Sequence, residues 1–450
     1  MLEESSLPTE PQLPVSDAIS PLSEEHIQLE LNRCREQAKK QGFAEGLAQG
    51  HEEGRAQGFQ EGLLQGQQQG AEQALSEARE RQEQINGRLS QLIDGFEEAL
   101  NQLDRVIPAR LMQLALTAAR SIVGKQIQCD HSILLENIQQ LLANGTTTAL
   151  VFGTVHPQSV EALFSAADAL KMRLIAGKVM MDRHAPEALL EEAETSYAQT
   201  RDLIRRWHNH GRLGYALTPR FAPTSSPALL EAVRRLRDEF PDTWVHTHLS
   251  ENSDEVAWVR ELYPDHDHYL GVYHDYGLTG KKSVFAHCLH LCDDEWACMA
   301  ASDSSIAFCP TSNLFLGSGL FRLQKAWEQR VRVGIGSDIG AGTTFSILTT
   351  LGEAYKVGQL QQYRLSAFEA FYHATLGGAR ALHLDDKIGN FDPGKEADFV
   401  VLDGNATALQ QLRAANSNTL AEKLFVLMTL GDDRNIHATW VNGAPAYTAG

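Results

Sequence analysis

Between residues 146 and 342 short apolar segments alternate with amphipathic stretches, and that alternation leaves very few architectures open to the chain. The apolar segments are TTTALVFGT (146–154), RLIAGKVMMD (173–182), YALTPRFAP (215–223), WVHTHLSEN (244–252), SVFAHCLHL (283–291), SSIAFCPTSN (304–313) and VRVGIGSDIGAG (331–342). Ser225 to Phe240 and Asp254 to Leu262 between them have the spacing of helices with one apolar face. Repeated strand–helix units imply a parallel sheet, because a parallel neighbour can be reached only by a crossover. Seven such strands point to a β/α barrel one strand short of eight. The expected class is therefore α/β, an incomplete TIM-like (β/α) barrel. GKEADFVVLDG (394–404) and HATWVNGAPAY (437–447) add two late strands of a small separate β-unit.

In such barrels the active site lies at the carboxyl ends of the strands. In WVHTHLSEN the alternation of an extended strand puts His246, His248 and Ser250 on one face and Val245, Thr247 and Leu249 on the other. Glu251 stands three residues beyond His248. A neutral imidazole can ligate a metal ion and a nearby carboxylate can move protons between water and substrate, the pairing that metal-assisted hydrolysis needs. Arg220 with Phe221, His287, Asn313 and Asp338 occupy other strand ends. Each has an ordinary structural reading as well: a surface cation, a hydrogen-bonded core histidine, a helix cap, and a cap or turn residue. Their placement on successive strand ends favours the functional set.

The first third of the chain is built differently. Residues 1–24, rich in Glu, Ser and Pro with few large apolar side chains, read as a disordered lead. Gly42, Gly46, Gly50, Gly54, Gly58, Gly62, Gly66 and Gly70 then recur with a period of four, forming a slowly drifting stripe on a helix. Each glycine costs a helix about 1 kcal/mol relative to alanine, so close approach of a second helix is expected to offset them; a flexible low-complexity linker is the plainer reading. Ile85, Leu89, Leu92, Phe96, Ala99, Leu103 and Val106 continue as a heptad-like seam. The net charge of −19 argues against nucleic acid and anionic membrane surfaces as partners. Six cysteines without a CxxC pair read as reduced thiols, and no signal peptide or transmembrane run is present, so a cytoplasmic protein is expected.

The glycine repeat, the seam and RLMQLALTAARSIVGKQ (Arg110 to Gln126) together resemble the flagellar assembly protein FliH, the dimeric regulator of the export ATPase. The resemblance covers about residues 25–142. It implies a long helical, coiled-coil-like dimerisation segment, a homodimer, and flagellar export components as partners. TPRF, HTHLSEN, FAHC, CPTSN and GSDIGAG, with NGTTTALVFGT and PGKEADFVVLD at either end, resemble the guanine deaminase branch of the zinc amidohydrolase superfamily over about residues 144–450. That resemblance implies one zinc ion with His248, His287 and Asp338 as metal residues, Asp338 also accepting a proton from the attacking water. Glu251 would carry a proton to the purine, His248 would also face the substrate, and Arg220 and Phe221 would hold the base. The implied reaction is hydrolysis of guanine to xanthine and ammonia. The nucleotide-deaminase signature H-x-E with P-C-x-x-C is absent.

The family's barrel opens with a strand ending in His-x-His, which supplies two further ligands, and a glutamine that binds the base. The only histidines before Asn144 are His26, His51 and His131, none in a His-x-His. The expectation is a chain with the deaminase signature and impaired catalysis, organised as 1–24, a helical segment 25–142, a barrel 143–390 and the β-unit remainder 391–450. An export-apparatus interaction protein carrying an inert barrel is the alternative from a different class. A deaminase for another heterocycle is a third reading, disfavoured by the Arg-Phe pair.

Overall fold

The computed structural model describes residues 27–47, 50–52, 54, 55, 58, 62 and 131–449. Two units divide the chain, residues 1–118 and 119–450. In the first, residues 27–47 are helical and exposed throughout, as are the described residues up to 62. A Cβ placed on Gly42, Gly46, Gly50, Gly54, Gly58 or Gly62 would meet nothing within 4 Å. The helix expected to press on the glycine stripe is therefore not supplied by the described residues of this chain. The lead 1–24 and the heptad-like seam 85–106 lie outside the described residues. No helix among the described residues is long and apolar enough to cross a membrane.

The second unit is organised by β1 (Thr148–Phe152), β2 (Arg173–Gly177), β3 (Val179–Met180), β4 (Leu213–Pro219), β5 (Trp244–Leu249), β6 (Ser283–His287), β7 (Ser305–Phe308) and β8 (Arg332–Ile335). They form one parallel sheet in the order β1-β2-β4-β5-β6-β7-β8, with β3 paired to β4. All seven expected segments are strands, and 173–182 is broken into β2 and β3. Every residue of β2, β4 and β6 is buried, as parallel strands covered by helices require. The covering helices start where the sequence caps them: Ser226 accepts from the Leu229 amide ahead of Pro227–Glu239, with proline in the first turn. Gly177 permits the close approach of β2 to β4, since a Cβ there would lie 1.7 Å from the Ala216 carbonyl oxygen.

Among the described residues the sheet curls into a half-barrel and does not close. Among the described residues β1 and β8 each have a strand partner on one side only. A cavity of about 870 Å³ lies along both of these edges, lined by Val151 and Phe152 of β1, Ile335 of β8, and Gly336, Asp338 and Leu382.

The last strands, β9 (Phe399–Leu402), β10 (Ile436–Val441) and β11 (Ala444–Thr448), form an antiparallel sheet in the order β11-β10-β9. The stretch 437–447 is thus a hairpin and not one strand. Asn442 and Gly443 turn it, both with positive φ (50° and 77°), the conformation a two-residue hairpin loop demands. Glu396, just before β9, accepts from Arg173 Nε (3.1 Å) and Arg212 Nε (3.0 Å) and so ties this sheet to β2 and β4. The boundary expected after residue 142 falls inside the second unit. Helix His131–Ala143 buries Ile138 and Leu142 in the barrel core, and Thr439 Oγ1 donates to the Leu142 carbonyl at 2.7 Å. Helical periodicity shows that a face is apolar, but not which body covers it.

Candidate active site

The ends of β4, β5, β6 and β7 and the loop after β8 deliver ionisable side chains to one place. Arg220 and Phe221 follow β4 directly, with the exposed guanidinium carbon 5.6 Å from the Phe221 ring centroid. The Arg220 carbonyl accepts from His248 Nδ1 at 2.7 Å, which leaves the ring's lone pair on Nε2. The His248 ring stacks between Phe152 (4.5 Å between centroids) and His287 (5.4 Å). His246, on the same face of β5, is buried against Phe152 at 3.8 Å. Burial, and then the neighbouring imidazoles His248 and His287, hold it neutral by pushing its pKa well below the ordinary histidine range.

Glu251 is set by the turn after β5. Asn252 caps helix Ser253–Leu262 by accepting from the Glu255 amide (2.8 Å), and the Glu255 carboxylate accepts from the Glu251 amide (3.0 Å). The Glu251 carboxylate accepts from Ser318 Oγ at 3.2 Å, and its other oxygen stands 3.7 Å from His287 Nε2. Burial raises the Glu251 pKa, helped by the Glu255 and Asp338 charges. A carboxyl shifted in that direction is suited to holding and passing on a proton near neutrality.

His287 ends β6, buried, with Asn313 Nδ2 at 2.9 Å from its Nδ1. Burial and the adjacent His248 lower its pKa to about 3, so it is a neutral ring. Ser250, His287 and Asp338 have φ of 49°, 72° and 47°, a region non-glycine residues enter at a cost of about 1–3 kcal/mol each and occupy mainly at functional sites. One ligand atom each from His287, Cys309 and Asp338 lie within 4.8 Å of one another. His268, Cys292 and Asp294 form a second such trio nearer the surface.

All the residues expected from the sequence stand at this end of the sheet. The buried cluster differs from the expected metal trio, however: it joins His287 and Asp338 to Cys309 and does not include His248, whose ring is held by the Arg220 carbonyl and stacked on Phe152. Asn313 is no helix cap but a buried partner of His287. Cys309 was legible only as a reduced thiol. Its position at the end of β7, one strand beyond His287, is the signal that marks it.

A parallel half-barrel whose strand ends gather two imidazoles, carboxylates and a thiol is the framework of a metal-dependent hydrolase of the barrel type. The chain belongs to the amidohydrolase family, whose model matches residues 123–445. Over 310 residues it is 69% identical to the guanine deaminase of Escherichia coli (strain K12), an alignment that spans 69% of this chain and 71% of that protein. The solved structure of E. coli guanine deaminase superposes with a TM-score of 0.72 at 65% identity, covering 72% of this chain and 76% of that one. Guanine deaminase from C. acetobutylicum with bound guanine in the active site gives a TM-score of 0.65 at 30% identity, covering 72% of this chain and 80% of that one. The likeness of residues 25–142 to FliH draws no support from these matches, and the family model already begins at residue 123.

Proposed function

We propose that the chain hydrolyses guanine to xanthine and ammonia, at a reduced rate. The observation that carries this reading is the convergence of the Arg220–Phe221 pair, Glu251, His287 and Asp338 in a chain 69% identical to a guanine deaminase. Phe221 would stack on the purine face while the Arg220 guanidinium bonds its polar edge. Glu251 would pass a proton from the attacking water to the ring nitrogen beside C2. Asp338 would take the second proton and give it to the departing amino group, so that a C–O bond forms at C2 as the C–N bond breaks and ammonia leaves.

The donors present fit one zinc ion: imidazole, carboxylate and thiol atoms within 4.8 Å, with the buried Asn313 Oδ1 left unpartnered beside them. His287 and Asp338 would hold it, with His248 alongside, and it would supply the Lewis acidity that makes water nucleophilic near neutral pH. The reduced rate follows from the absence of the first-strand His-x-His, which leaves two of the expected ligands unsupplied. Asp338 and His246 both line the cavity along β1 and β8, where a first-strand ligand pair would otherwise stand.

Xanthine formation from guanine by the full-length chain with added zinc tests this. Arg220→Ala should raise KM by about ten- to a hundredfold, from loss of a charge-assisted hydrogen bond of about 1.5–3 kcal/mol. A folded, zinc-supplied chain that forms no xanthine sinks the assignment, and faster turnover of another aminated heterocycle would reassign the substrate.

The helical segment is proposed to pair with a second copy of itself, which is supported by the exposed Ile27, Leu31, Phe43 and Leu47 and by glycines that meet nothing within 4 Å among the described residues. Sedimentation should then give a dimer that Gly46→Leu with Gly50→Leu weakens; a monomer at all concentrations would end this reading.

A further inference from the structure

We propose that Cys309 is a metal ligand in this chain, its thiolate completing a three-residue site with His287 and Asp338. The inference rests on the reading that the site holds a divalent metal and adds the identity of the third donor. Three observations carry it. The three ligand atoms lie within 4.8 Å of one another, and His287 and Cys309 are both buried, so the ligands are assembled before any ion arrives. Cys309 Sγ is seated over the loop leading to Asp338: a Cβ on Gly336 would come within 2.9 Å of it, so glycine at this position is what gives the sulfur its place. The third observation is the buried Asn313 carboxamide. Its Nδ2 donates toward His287 Nδ1 while its Oδ1 has no partner.

That last arrangement has a direct bearing on ligation. With Nδ1 accepting, the neutral ring carries its proton on Nε2, the nitrogen facing Glu251. Half a turn of the carboxamide lets Oδ1 accept from Nδ1–H, satisfies the orphaned oxygen and moves the ring's lone pair to Nε2. Metal-bound histidines are held in just this way, with the second nitrogen donating to an amide, carbonyl or carboxylate oxygen. Asn313 is thus the positioning residue of the site, and Cys309 and Asp338 are the anionic donors. Two anions and one neutral imidazole suit a borderline-soft divalent ion such as zinc, with a fourth position open. On binding, the Cys309 S–H bond is broken and its proton goes to solvent.

Cobalt(II) is the probe. Titrated into the full-length chain, it should give a near-ultraviolet sulfur-to-cobalt charge-transfer band. Cys292→Ser, which removes the thiol of the more exposed trio, should leave that band in place. Cys309→Ser should abolish the band and weaken cobalt binding by about tenfold or more. Persistence of the band in Cys309→Ser, its loss in Cys292→Ser, or cobalt binding without it in the wild type overturns the proposal. Cadmium NMR of the unmutated chain keeps the test independent of how the variant folds: a resonance shifted as one sulfur donor requires supports the assignment, and one typical of nitrogen and oxygen donors alone refutes it. A sulfur-ligated ion without xanthine formation would refute the deaminase reading and leave this one standing. Xanthine formation with a sulfur-free spectrum would do the reverse.

Discussion

Glu251→Gln is expected to lower kcat for guanine by about a hundred- to ten-thousandfold while changing KM little, the usual cost of losing a general acid–base group. The substitution keeps the shape of the side chain and its ability to accept from Ser318 Oγ, so the turn after β5 should survive. What it removes is the exchangeable carboxyl proton. The surroundings of Glu251 are organised around that proton: burial and the charges of Glu255 and Asp338 favour the protonated form, and Ser318 holds one oxygen in place. Ammonia release at saturating guanine is the measurement, with the melting temperature as the check on folding. If Glu251→Gln keeps more than about a tenth of the rate, proton transfer must be assigned elsewhere.

Glu191→Ala is expected to destabilise the second unit by about 3–5 kcal/mol, because it strands a buried charge. Lys178, between β2 and β3, is fully buried; its ammonium pairs with Glu191 and lies 3.3 Å from Ser196 Oγ and 3.5 Å from the Val179 carbonyl. Burial lowers the Lys178 pKa from 10.5, and Glu191 is the group that opposes this. Without the carboxylate the folded-state pKa falls further. The unfolded chain then binds the proton more tightly than the folded one, and stability rises with pH until the unfolded-state value is reached. Urea unfolding should therefore show the variant's deficit to be larger at about pH 6 than at about pH 9. Replacing both partners, as Lys178→Met with Glu191→Leu, should recover most of the loss, since no charge remains to be desolvated. A single variant as stable as the parent at the lower pH would mean that water or another group reaches the ammonium.

The parallel strands were legible in the sequence because both of their faces are covered, so they read as apolar runs such as LIAG and VFAH with no polar alternation. The site was legible for a related reason: a charged or imidazole side chain directly after such a run can only stand at a strand end. His248, Glu251, His287 and Asp338 all announce themselves in this way. Cys309 does not, since a buried thiol looks like any other small apolar residue until its neighbours in space are known. Lys178 was hidden inside RLIAGKVMMD, where its partner Glu191 lies thirteen residues away across a loop. The Asn442–Gly443 turn is a strong local signal that a reading of 437–447 as one strand passes over. The attachment of helix His131–Ala143 to the barrel depends on contacts with residues some three hundred positions later, such as Thr439, which no local pattern carries.

The open seam between β1 and β8 has a mechanical consequence. In a closed ring every strand is gripped from both sides and none can leave without its neighbours. Among the described residues two strands form a rim and can peel, as the last teeth of a zip do, while β5 and β6 are clasped in the middle. His248 and His287 ride on the clasped strands, and Asp338 follows the rim strand β8. Loosening of the sheet therefore draws the carboxylate away from the imidazoles before it disturbs anything else, and the site comes apart along a seam while most of the fold around it is still intact.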